Sequence, residues 1–64
     1  MEYSTARAEI DIMARLHQMP ASPKELRETT PYSPNQILWV LAALKADGLV
    51  VRVPGTHLMR VVDV

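Results

Sequence analysis

Two Ser-Pro tetrads set eleven residues apart, Ser22-Pro23-Lys24-Glu25 and Ser33-Pro34-Asn35-Gln36, constrain this chain more than any other feature. In each, the Ser hydroxyl can accept from the backbone N–H three residues on. Pro takes the first helical position, where no donor is missed, and Glu or Gln reaches back to the cap N–H. Each tetrad is therefore a helix start. The first helix so begun, Pro23 to about Thr29, is stopped by Pro31, which forces the chain out before the next cap. Two helices separated by so short a link must cross steeply, which is the helix-turn-helix arrangement.

The flanking segments complete the outline. Upstream, Ser4 and Thr5 can cap a helix running to about Gln18. Ala6, Ile10 and Met13 form one apolar stripe on it and Ile12, Leu16 and Met19 an adjoining one, together a broad apolar face. Arg7, Asp11 and Arg15 recur four residues apart as a solvated charge row, and His17 is placed to meet the negative end of the helix dipole. Pro20 and Pro23 bracket a short extended link. Downstream, the helix begun at Ser33 carries Ile37, Val40, Leu41 and Leu44 on one face and stops at Asp47-Gly48. Residues 49–53 then read as a strand, Pro54-Gly55-Thr56-His57 as a turn and residues 58–62 as the returning strand. A hairpin alone is marginal in water, so it must lie on the helices. Met59 and Val62 fit either register. The expected fold class is α+β, mainly α, as a single domain over residues 1–64.

Size and charge exclude several function classes. A chain of 64 residues cannot enclose a large ligand cavity and also keep a packed core, so a self-contained enzyme is not expected. Its 48% apolar content is that of a chain that folds. With no cysteine there is no disulfide scaffold, thiolate metal site or Cys nucleophile. Neither His17 nor His57 has a second ligand at metal spacing, and Gly48 and Gly55 alone cannot build a phosphate loop, so no metal, cofactor or small-molecule substrate is expected. Methionines 13, 19 and 59 read as core filler. The start, Met1-Glu2-Tyr3-Ser4, has no secretion-signal pattern, and the longest apolar run, from Ile37 to Leu44, is far short of a bilayer span. The expected location is the cytoplasm, with no membrane partner. Seven basic residues balance seven acidic ones, so long-range attraction to nucleic acid is not built into the net charge.

With helix one and the hairpin added, residues 22–53 resemble a winged helix-turn-helix domain of the MarR-like and ArsR-like kind. The resemblance rests on Ser22-Pro23-Lys24-Glu25-Leu26, Tyr32-Ser33, Ile37, Val40-Leu41, Leu44, and Asp47-Gly48-Leu49-Val50 followed by Arg52. It implies a three-helix base with a C-terminal β-hairpin wing, and a small DNA-binding transcriptional regulator acting on double-stranded DNA; the small surface a monomer of this size offers adds the expectation of a dimer on two half-sites. The resemblance also implies that the helix begun at Ser33 enters the major groove, turning Asn35, Gln36 and Trp39 toward base edges. Asn and Gln each donate and accept in one plane, as adenine requires. Lys24 and Arg27, Lys45, and Arg52, His57 and Arg60 on the wing would then touch phosphates.

The outer face of that helix departs from the family. Successive residues at 100° place Trp39, Ala42, Ala43 and Ala46 opposite the Ile37-Val40-Leu41-Leu44 stripe, with Leu38 at its border, where DNA-binding members usually carry Arg, Lys, Ser or Thr. Such apolar patches more often mark protein contact than phosphate contact. Burying one indole removes roughly 150–250 Å², worth at most about 4–6 kcal/mol. The alternative expectation is thus a protein-interaction module or small inhibitor that uses Leu38, Trp39, Ala42 and Ala43 on a protein partner or a second copy. Two readings of Trp39 stay open, outside contact and a fold back into the core. Asn35 and Gln36 have an alternative role in the first helical turn alone, and the basic residues one as a mixed solvated surface.

Overall fold

In a computed structural model, which describes residues 5–62 and side chains from Ala6 onward, both tetrads start helices. The chain runs α1 (Thr5–Gln18), α2 (Pro23–Thr29), α3 (Pro34–Ala46), β1 (Val50–Arg52) and β2 (Met59–Val61), a mainly helical α+β arrangement ending in an antiparallel hairpin. The expected capping side chains of Ser4 and Thr5 lie outside the described residues.

Both capping boxes close. Ser22 Oγ accepts from Glu25 N–H at 3.2 Å, and Ser22 N–H donates to Glu25 Oε1 at 3.4 Å. At the second start, Ser33 Oγ accepts from Gln36 N–H at 3.3 Å while Ser33 N–H donates to Gln36 Oε1 at 2.8 Å. Between them, α2 ends where the Thr30 N–H and hydroxyl both donate to the Leu26 carbonyl. Pro31 has no N–H to continue the ladder. The helix C-terminus at Gly48 is equally defined. Gly48 adopts φ +74, its N–H donates to the Lys45 carbonyl and Leu49 N–H donates to the Leu44 carbonyl, the paired bonds of a Schellman stop.

Helix α1 corrects one sequence expectation. It buries a single stripe, Ala8, Ile12 and Leu16, with Met13 partly buried beside it, while Ala6 is exposed and Ile10 is 67% exposed. The physical reason is coverage: α3 and β2 both pack on this helix, and the buried stripe is where they meet it. Two layers cannot also cover a face roughly 180° away. Met19 is 57% exposed because α1 stops at Gln18, beyond which helical spacing has no meaning. The contact at that helix end comes from Arg15, whose guanidinium donates to the Met19 carbonyl at 3.2 Å.

The hairpin is short and firmly attached. Its register pairs Val50 with Val61, Val51 with Arg60 and Arg52 with Met59, which turns Val50, Met59 and Val61 inward. Bonds from Val53 N–H to the Leu58 carbonyl and from Val62 N–H to the Leu49 carbonyl extend the ladder at both ends. At the tip, Thr56 N–H donates to the Val53 carbonyl around Pro54-Gly55, and Gly55 at φ +77 supplies the positive φ of a type II turn. Ala21, in the link between α1 and α2, exchanges two backbone bonds with Met59 at 3.1 and 2.8 Å. The hairpin is thereby stitched to the base of the helices. The core beneath combines Ile12, Leu26, Ile37 and Val50 with Tyr32 and Leu44.

Candidate nucleic-acid interface

The corner between α2 and α3 decides what α3 can present. Tyr32 is 3% exposed, and its hydroxyl donates to Asp11 Oδ2 on α1. Asp11 also faces Arg7 Nε at 3.8 Å, an i,i+4 pair open to solvent and worth a few tenths of a kcal/mol at most. One buried ring thus ties the start of α3 to α1. With that end fixed and Ile37, Val40, Leu41 and Leu44 buried, the opposite side of α3 must face outward.

That side is uncovered along its length. Asn35, Ala42 and Ala46 are exposed, Trp39 is 75% exposed and Leu38 is 53% exposed. Trp39 therefore lies outside the core, which settles the two readings of its position. Among the described residues Asn35 makes no side-chain hydrogen bond, whereas Gln36, half-buried, uses Oε1 in the cap. Ser33 is exposed but its oxygen is also engaged there. Ala43 is half-buried, at the edge of the patch rather than within it.

The cations divide into groups. Lys24 and Arg27, both exposed, line a shallow open groove of about 210 Å³ with Pro23, Pro34, Ile37 and Leu38, where α2 meets the start of α3. Lys45 is exposed and lies about 20° around α3 from Leu38, two turns further along, so it continues the same edge. The hairpin cations diverge. Arg52 shares a hairpin face with Met59 and Arg60 shares the other with Val51. Arg60 borders a depression at the end of α1 with His17, Gln18 and Met19, away from the Lys24–Arg27 group. His57 is exposed near the hairpin tip. The balanced net charge conceals a division along the chain: residues 22–62 hold five basic and three acidic side chains, a local excess of two positive charges. One of those acids, Glu25, is held in the α2 cap.

Sequence reasoning missed the groove, whose signal was the spacing of the tetrads themselves, because Pro23 and Pro34 become its walls. It also missed the exposed Ile10, which belonged to a stripe assigned to the core. Among the described residues no group of three His, Cys, Asp or Glu side chains could hold a metal ion, and no helix is long and apolar enough to cross a membrane. No protein-family model, curated protein or solved structure matches the chain.

Proposed function

We propose that this chain is a winged helix-turn-helix domain that binds duplex DNA and regulates transcription in the cytoplasm, with α3 in the major groove and the hairpin as a wing along the backbone. The observation that carries it is the uncovered side of α3, exposed at Asn35, Trp39, Ala42 and Ala46 and bordered along one edge by Lys24, Arg27 and Lys45. A helix held by its other face, with cations beside it, is the form that fits a groove walled by phosphates. Arg52 and His57 extend the phosphate contacts from the hairpin, and Arg60 does so only for a partner that reaches the α1 end. A single module of this size offers roughly 600–1,000 Å² to DNA, so the binding form is a homodimer on two half-sites about 34 Å apart.

The test is a titration of Trp39, the only tryptophan, with short duplexes at rising salt. The expected result is an emission change that weakens as salt rises, since each neutralised phosphate adds about 0.9 to the log–log salt slope. No change at the lowest salt overturns the reading.

The exposure of Leu38 and Trp39 favours a second reading, a protein-interaction module or small inhibitor acting through Leu38, Trp39, Ala42 and Ala43. Its signature is an emission shift on adding a protein partner, or one that follows protein concentration alone.

A further inference from the structure

We infer that the outward face of α3 is specific for thymine, with Trp39 and Ala42 against the C5-methyl groups and Asn35 on a neighbouring adenine; this inference rests on the duplex-DNA reading. Each base pair shows the major groove a pattern of donors, acceptors and, for thymine alone, a methyl group. A side chain without polar atoms can discriminate only through that methyl. On the uncovered side of α3 the sequence of groups is an amide at Asn35, an indole at Trp39 and methyls at Ala42 and Ala46.

The indole fits one base edge. It carries a single N–H donor beside an apolar ring, and thymine offers the O4 acceptor beside its methyl. Cytosine offers a donor and no methyl, so two donors would meet. Guanine offers two acceptors, which Arg or Lys satisfies best, and the only cation on α3 is Lys45 at the edge of the face. Asn35 can make the two-bond contact to adenine. The face from Asn35 to Ala42 is about 10 Å long, or roughly three base-pair steps. An A·T-rich half-site of that length matches its chemistry. Lys24, Arg27 and Lys45 supply the charge complementarity that brings the apolar face to DNA.

The experiment measures anisotropy of three labelled duplexes about two helical turns long: alternating A·T, the same duplex with deoxyuridine replacing thymine, and alternating G·C. Their equal charge cancels the phosphate contribution. The expected order is thymine duplex tightest, with a loss of about fourfold for each contacted methyl removed. Trp39→Ala is expected to bring the thymine and deoxyuridine duplexes closer together. Far-UV circular dichroism checks that the variant is folded, as the exposure of Trp39 predicts. Equal binding of all three duplexes overturns the inference and leaves the DNA reading standing. No binding of any duplex at low salt overturns that reading itself. A thymine preference undiminished in Trp39→Ala overturns the role given to Trp39.

Discussion

Removing one oxygen from the buried corner tests how α3 is held. Tyr32→Phe keeps the ring and its packing at 3% exposure and deletes only the hydroxyl that donates to Asp11. A hydrogen bond to a charged group contributes about 1.5–3 kcal/mol net. The Asp11 side chain is 41% exposed, so the released carboxylate returns to water rather than staying buried and unpaired, which places the expected loss near the lower end, about 1.5 kcal/mol. A domain of this length has a total stability of roughly 3–10 kcal/mol, so the loss is a large share of it. With about 4–8 °C per kcal/mol at this size, Tm falls by roughly 6–12 °C.

The assay is thermal and urea denaturation followed by far-UV circular dichroism, because Trp39 is already exposed in the folded state and reports weakly on unfolding. Asp11→Ala supplies the second arm of a double-mutant cycle. It also removes the Arg7 pair, whose contribution is a few tenths of a kcal/mol. A coupling energy of about 1 kcal/mol or more between positions 11 and 32 is expected. A Tyr32→Phe cost below about 0.3 kcal/mol, or a coupling of that size, would refute the claim that this bond fixes the start of α3.

Three further outcomes follow from the same geometry. Ser33→Ala removes the acceptor for Gln36 N–H and should cost about 1 kcal/mol in urea denaturation, with Ser33→Gly costing less. Gly48→Ala meets open space at its new methyl, so any loss is conformational: about 1–2 kcal/mol from φ +74, read by thermal melts, with Gly48→Asn milder. Lys24→Ala and Arg27→Ala should each leave the melting temperature nearly unchanged and lower the salt slope of duplex binding by about 1. An unchanged slope in both would remove these two residues from the phosphate contacts.

The helix starts were legible because a capping box is local: Ser22, Pro23 and Glu25 satisfy one another within a single turn, and so do Ser33, Pro34 and Gln36. The stop at Gly48 was legible for the same reason, since a positive φ is a property of one residue. The strands were placed correctly but too long, because apolar composition continues through Leu49 and Val53 while the regular pairing covers only residues 50–52 and 59–61. Periodicity set Trp39, Ala42, Ala43 and Ala46 opposite the continuous stripe of α3 but left a fold of Trp39 back into the core open; the structure exposes Trp39, Ala42 and Ala46 and half-buries Ala43.

What escaped was set by contacts distant in sequence. Periodicity on α1 gave two adjoining apolar stripes as one broad face, and nothing within fourteen residues says which part of it will be covered. The choice is made by Ala21, whose pairing with Met59 draws β2 back toward the base of the helices, and by Tyr32, whose hydroxyl grips Asp11. The elements these contacts bring in, β2 and α3, pack on α1, whose Ala8, Ile12 and Leu16 become buried. The same two contacts locate the candidate site. Tyr32 secures the start of α3, and the hairpin, tied through Met59, lies at its far end beyond Gly48. The apolar side chains left in water at Ile10 and Trp39 therefore have different origins: one belongs to the stripe that lost the competition on α1, the other to a helix whose inner face was already full.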